Sequence, residues 1–176
     1  LARALGRAVV EILGAKSVVI GRDARLSGPE LRDALALGLC EAGAQVTDIG
    51  MCGTEEIYYA AANQPFEAGV MITGSHNPAD ENGFKLVRGG AIPISGDSGL
   101  FALRDRVEAI LAESGNAAES LAVAPLHHAS YRADYVAWLL EYSGAAQLAP
   151  VAGRKPLKIV ADAGNGCAGL VLNDLM

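Results

Sequence analysis

Aromatic residues are scarce, at 5% of 176 residues, and charged residues reach only 19%. The first scarcity leaves an aliphatic, closely packed core as the only way to bury apolar surface. The second, beside 51% hydrophobic residues, excludes a disordered polyelectrolyte and predicts a globular fold. Basic residues are also few. Fourteen Lys and Arg against 20 Asp and Glu give a net charge of −6, which argues against nonspecific binding to nucleic acid or to an anionic membrane. Any anionic ligand therefore needs a local basic site. Cys40, Cys52 and Cys167 are odd in number and lack C-x-x-C spacing. They form neither a disulfide framework nor a zinc site of that pattern, and read as reduced, mostly buried thiols of a cytoplasmic protein. Long apolar runs are missing too. The segment Leu1-Ala-Arg-Ala-Leu-Gly-Arg-Ala-Val-Val-Glu is broken by Arg3, Arg7 and Glu11, so it is an amphipathic helix and not a signal or membrane segment.

Against these shortages stands an orderly alternation of elements. Residues 17–21 form a β-branched run that fits a buried strand and opens into the polar loop 22–28. A helix follows, with Ser27 and Glu30 in the S-x-x-E capping pattern, Pro29 in the first turn, Leu31, Leu35 and Leu39 on one face, and Gly43 as a left-handed stop. Residues 45–50 read as a second strand, 54–62 as a short helix capped by Thr54, and 68–73 as a third strand. This βαβαβ order predicts an α/β fold, a mostly parallel mixed sheet sandwiched between helices. Ligands on such sheets bind beyond the carboxyl ends of the strands, which directs attention to the loops after Gly21, Gly50 and Thr73.

Further on, residues 84–88 and 91–94 flank Gly89-Gly90 as a hairpin, and a helix is expected over 97–112. A small-residue loop spans 114–125. A helix over 130–142 carries Tyr131, Tyr135, Trp138 and Tyr142 at helical spacing, a packing stripe in preference to a base-stacking platform. His127 and His128, without a neighbouring acidic or cysteine ligand in sequence, read as solvated residues where that helix begins. Residues 144–156, rich in Ala, Gly and Pro, read as a linker, after which 157–161 begins a new strand. The organisation expected is a first α/β domain over 1–143 and the start of a second, similar domain over 157–176. Starting at Leu1 and stopping inside an apolar run, the chain reads as a piece of a longer protein.

Two motifs bear on chemistry. Gly164-Asn-Gly-Cys-Ala-Gly169 matches G-x-G-x-x-G after a predicted strand, which fits either a dinucleotide-binding oxidoreductase domain or a plain tight turn. The ribose-binding acid expected some 20 residues on has no counterpart in the chain. Thr73-Gly-Ser-His-Asn-Pro-Ala-Asp-Glu-Asn-Gly-Phe-Lys85 is more informative. Ser75 follows the third strand after a glycine and beside a side chain able to move protons, as a presented nucleophile would; a plain turn of polar, Gly- and Pro-containing residues is the other reading. It is neither a G-x-S-x-G elbow nor a Walker A loop.

Thr-Gly-Ser-His-Asn-Pro at 73–78, with Asn-Gly-Phe-Lys at 82–85, resembles the phosphoserine loop of the α-D-phosphohexomutases, in particular the bacterial phosphomannomutase/phosphoglucomutase branch. The resemblance extends to Gly-Arg-Asp-Ala-Arg-Leu-Ser-Gly-Pro-Glu-Leu at 21–31, to Tyr-Tyr-Ala-Ala at 58–61, and to 158–169, which is similar to the opening of the family's second domain. It implies interconversion of hexose 1-phosphate and hexose 6-phosphate, through a phosphoserine at Ser75 and a sugar 1,6-bisphosphate. Mg²⁺ would bind the phosphate on Ser75, and glucose 1,6-bisphosphate would act as activator. Lys85 would supply charge. His76 would move protons or only position the loop, and Asn77 would shape the loop. Arg22 and Arg25 would lend positive potential, or one of them would pair with Asp23. The partners implied are a phosphosugar and the remaining domains of the parent chain, with no nucleic acid or membrane. Gly53-Thr54-Glu55 departs from the family's usual Pro-Thr-Pro, and the family's Asp-rich metal loop and sugar loop have no counterpart here. The chain alone is therefore expected to be inactive, and a binding module sharing the fold is the remaining alternative.

Overall fold

The β-branched run after Lys16 becomes the middle of the sheet. In the computed structural model, which describes residues 1–114, 124–147, 155 and 158–176, strand β1 (Ser17–Arg22) has four consecutive buried residues. A strand covered on both faces reads as a continuous apolar run, and this one does. Strands β2 (Gln45–Met51) and β3 (Ala68–Ile72) lie parallel to β1 on either side. Strand β4 (Phe84–Arg88) runs antiparallel to β3, and the short β5 (Ile92–Pro93) antiparallel to β4. Strand β6 (Leu126–His128) adds in parallel to β2, giving the order β5-β4-β3-β1-β2-β6.

Helices cover both faces. On one, α1 (Ala2–Leu13), α2 (Gly28–Glu41) and α4 (Phe101–Ser114) enclose Val18, Ile20, Val70 and Ile72 with Leu35, Leu39 and Leu103. On the other, α3 (Thr54–Asn63) packs Ile57, Ala60 and Ala61 on Val19, Met71 and Val87. Each fully buried Val, Ile or Leu contributes about 1.5–3 kcal/mol, so an aliphatic core supplies the driving force that few aromatics could. Helix α5 (Arg132–Tyr142) bears out the packing stripe only in part: Tyr59 of α3 meets Tyr135 at 5.5 Å and Trp138 at 5.8 Å between ring centroids, whereas Tyr142 is 79% exposed. Among the described residues no helix is long and apolar enough to cross a membrane.

Several local expectations are corrected. Ser27 precedes α2 but makes no capping bond: its backbone is helical (φ −75°, ψ −9°) and not extended as an N-cap requires, and its hydroxyl accepts the Asn82 side-chain amide at 3.0 Å. Helix α3 is capped by Gly53 and not by Thr54; the Glu56 carboxylate accepts the Gly53 N–H at 3.0 Å. His127 and His128 lie on β6, at the sheet edge, and His128 is 3.8 Å from the buried Asp48 carboxylate. Of the strand expected over 157–161, residues 158–161 form none, and Ile159 and Val160 are 74% and 95% exposed. A helix, α6 (Ala168–Leu175), does follow. Residues 115–123 of the small-residue loop, and most of the expected linker, lie outside the described residues.

The α1–α2 contact depends on two glycines. A Cβ on Gly38 would meet the Arg3 carbonyl oxygen at 1.9 Å, and one on Gly6 the Leu35 carbonyl oxygen at 2.3 Å. Backbone cannot yield as a side chain end does. Gly38→Ala is therefore expected to destabilise the fold by about 1–3 kcal/mol as an overpacked helix interface, read as a lower thermal midpoint; an unchanged midpoint would contradict this packing.

Candidate active site

The order of the strands fixes where a ligand can reach the chain. From β1 the chain passes through α2 to β2 on one side, then through α3 back to β3 on the other. The loops after β1 and β3 thus flank a topological switch point at the carboxyl edge, where a crevice opens. They are tied together there. The Asp23 N–H donates to the Ile72 carbonyl at 3.0 Å. Asp23 Oδ1 accepts the Arg25 N–H at 3.0 Å, while Oδ2 accepts Arg25 Nε at 3.1 Å and the Thr73 hydroxyl at 2.7 Å. Thr73 Oγ1 in turn accepts the Ser75 N–H at 2.9 Å.

Arg25 then reaches across to the second loop. Its Nη1 donates to the carbonyls of Glu81, at 2.8 Å, and Pro78; its Nη2 donates to those of Asn77, at 2.8 Å, and Ser75, at 3.1 Å. Held from both sides, Ser75 adopts a left-handed backbone with φ of 54° and is exposed. That conformation costs a non-glycine residue about 1–3 kcal/mol and persists only where its surroundings over-determine it. Gly74 shows how tight they are: a Cβ there would lie 2.6 Å from both Arg25 Cζ and the Glu81 carbonyl oxygen.

The other expected residues distribute around this knot. Asn77 donates its side-chain amide to Glu81 Oε2 at 2.8 Å, within the loop. His76 is exposed beside Ser75. Arg22 donates to the Asp23 carbonyl at 3.3 Å. Lys85 sits on β4 opposite Met71, one residue from where β4 meets the end of β3, and by strand alternation shares the α3 face with Val87. Asp23 pairs with Arg25 and not with Arg22, which decides between the two partners open at the outset.

Residues 1–118 match the profile described as Phosphoglucomutase/phosphomannomutase, alpha/beta/alpha domain I. The chain belongs to this family. It is 45% identical over 173 residues to the phosphohexose mutases of Xanthomonas campestris pv. campestris, covering 98% of this chain and 36% of that protein. It is 46% identical over 171 residues to the phosphomannomutase of Salmonella typhimurium, covering 96% and 35%. The crystal structure of a phosphoglucomutase/phosphomannomutase family protein from Burkholderia thailandensis superposes with a TM-score of 0.74 at 36% identity, over 99% of this chain and 37% of that one. The chain thus spans about a third of the length of the relatives it matches.

In this phosphoglucomutase/phosphomannomutase domain a cavity opens beside Ser75, lined by Asp23, Thr73, Cys52 and Tyr135 and by Val171 and Leu175 of α6. Burial pushes the Cys52 and Cys167 thiols up, with nearby carboxylates adding to it, so both are poor nucleophiles at neutral pH. The glycine run that ends at Gly169 follows exposed chain and not a strand, and so lacks the context that a dinucleotide fingerprint requires. Among the described residues no three His, Cys, Asp or Glu side chains cluster as metal ligands, and both Asp23 oxygens already accept hydrogen bonds. These residues do not by themselves fit a Mg²⁺ site, which needs several oxygens around the ion.

Sequence reasoning passed over Thr73 and the second role of Asp23. Both carried a local signal: a hydroxyl or carboxylate that bonds the N–H two residues on is an ST- or Asx-turn, and Thr73-x-Ser75 and Asp23-x-Arg25 have that spacing. Gly74→Ala is expected to push Arg25 off the loop while leaving the sheet intact. Limited proteolysis should then cut within residues 75–81 faster than in the parent sequence, whereas an unchanged rate would mean that the loop is not held by this packing.

Proposed function

We propose that this chain is the phosphoserine-bearing N-terminal portion of a phosphohexomutase, which interconverts hexose 1-phosphate and hexose 6-phosphate through a sugar 1,6-bisphosphate. The observation that carries the reading is Ser75: an exposed serine at the switch point, in a strained left-handed backbone braced from both sides. Strain of this kind concentrates where a reacting group is held in one orientation. Membership of the phosphoglucomutase/phosphomannomutase family supports the same reaction class.

Phosphoryl transfer demands little of a protein beyond position and charge. In the proposed cycle the bond from phosphorus to Ser75 Oγ breaks as the free hydroxyl of a hexose monophosphate attacks. That hydroxyl loses its proton, and Ser75 Oγ regains one. The bisphosphate then turns over in the cleft and returns its other phosphoryl group to Ser75, completing the exchange. His76, exposed next to Ser75, either accepts and returns the proton or keeps the loop in shape; Asn77 ties that loop through Glu81. Lys85 and Arg22, which form no ion pair with the described residues, would offset the charge that builds on the moving phosphoryl group.

Mg²⁺ and the activator glucose 1,6-bisphosphate belong to the proposal for the longer protein. There the ion would meet the phosphate on Ser75 and ligands from the remaining domains. In the same proposal residues 1–143 form the phosphoserine domain, 144–156 link it to a second domain that starts at 157, and the protein is cytoplasmic.

Incubating the intact enzyme with glucose 1,6-bisphosphate and mapping its peptides by mass spectrometry should find phosphate on Ser75 alone, and Ser75→Ala should abolish turnover. Lys85→Ala should lower kcat by about 100-fold, with a smaller change in KM, because the lost charge acts mainly in the transition state. Phosphate on another residue, or full turnover by Ser75→Ala, would overturn the reading; a dinucleotide that binds saturably would favour an oxidoreductase instead.

A further inference from the structure

We infer that Arg25 is a positioning residue for phosphoryl transfer, holding the backbone of Ser75 and not the phosphate, with Thr73 as its second brace. The inference rests on the reading of Ser75 as the phosphoryl carrier. A guanidinium has five N–H donors in a rigid planar fork. In this chain all five have acceptors: Nε donates to Asp23 Oδ2, the Nη1 pair to the carbonyls of Pro78 and Glu81, and the Nη2 pair to those of Ser75 and Asn77. None is left for a phosphate oxygen. The side chain is 12% exposed and its charge is paired with Asp23 at 3.1 Å, so it adds little to the potential felt by a ligand. Its attraction acts inward instead, gathering four carbonyls so that the loop from Ser75 to Glu81 curls around one group.

Thr73 completes the hold. It gives its proton to Asp23 and accepts the Ser75 N–H, so both peptide groups of Ser75, the N–H and the C=O, are fixed by residues that converge on one carboxylate. Lysine could not substitute for Arg25, since three donors on a flexible stem cannot span five acceptors in a plane. Losing the brace would move the reacting oxygen, not the substrate's binding groups, and so should reduce kcat and leave KM nearly alone.

The test is steady-state kinetics of the intact enzyme with a hexose 1-phosphate, for Arg25→Lys, Arg25→Ala, Thr73→Val and Thr73→Ser, beside peptide mapping of the unaltered enzyme. A displacement of about 1 Å can cost about 100-fold in rate, so both Arg25 variants and Thr73→Val are expected to lose at least about tenfold in kcat with KM within about twofold. Thr73→Ser keeps the hydroxyl and is expected to recover most of the loss. Wild-type kcat in Arg25→Lys, or a raised KM at unchanged kcat in either Arg25 variant, would make Arg25 a charge or phosphate ligand and overturn the inference. Should the Arg25 variants fail to fold, the Thr73 pair decides: equal rates for Val and Ser overturn it. Phosphate absent from Ser75 in the unaltered enzyme overturns the proposed function and this inference together, whereas phosphorylated Ser75 with a fully active Arg25→Lys overturns this inference alone.

Discussion

Asp23 stands one residue beyond the central strand, and its two carboxylate oxygens receive three hydrogen bonds, from the Arg25 N–H, Arg25 Nε and the Thr73 hydroxyl. Everything at the crevice follows from how that carboxylate is shared. It turns the Arg25 fork toward the loop after β3, and it orients the Thr73 hydroxyl so that an oxygen lone pair faces the Ser75 N–H. A hydrogen bond to a charged group contributes about 1.5–3 kcal/mol, enough to offset backbone strain of about 1–3 kcal/mol at Ser75. The left-handed serine is thus held by Thr73 of its own loop together with Asp23 and Arg25, about fifty positions away in sequence.

The knot can form only because the sheet delivers both loops to one place. Strands β1 and β3 are parallel neighbours whose register pairs Arg22 with Ile72, so their carboxyl ends coincide. Close α1–α2 packing over Gly6 and Gly38 brings α2 down on one face. On the other, the buried Glu56 accepts the Gly53 N–H and pairs with Arg132 at 3.1 Å, so that one carboxylate both starts α3 and anchors α5. Tyr135 and Trp138 of α5 then pack at a tilt against Tyr59, which leaves Tyr135 at the cavity beside Ser75. Polar groups at the strand ends and aliphatic packing beneath them are parts of one arrangement.

What could be read in advance was whatever depends on neighbours in sequence. The runs at 17–21, 45–50 and 68–73 became strands, though the one after residue 157 did not, Gly43 took its positive φ of 95° just after α2, and the spacing of Tyr135 and Trp138 foretold their packing on Tyr59. What escaped depends on contacts across the fold. Ser27 has the residue pattern of a helix cap, yet Asn82 occupies its hydroxyl. Gly53, with no side chain to cap with, begins α3 because Glu56 reaches back to its N–H. His127 and His128 pair with the edge of β2, an attachment that no local pattern marks. At the crevice, Ser75 and its motif were legible, and the Arg25–Asp23 pair was one of two options. The reach of Arg25 to four carbonyls was not, since it joins segments fifty or more residues apart.

A high-resolution crystal structure of the full-length protein, phosphorylated at Ser75 as the proposed function requires, bears on this arrangement most directly. It should show Ser75 with a positive φ, Arg25 bonded to Asp23 and to the carbonyls of Ser75, Asn77, Pro78 and Glu81, and no phosphate oxygen within hydrogen-bond distance of Arg25. A guanidinium rotated onto the phosphate, or a Ser75 relaxed to negative φ, would contradict it.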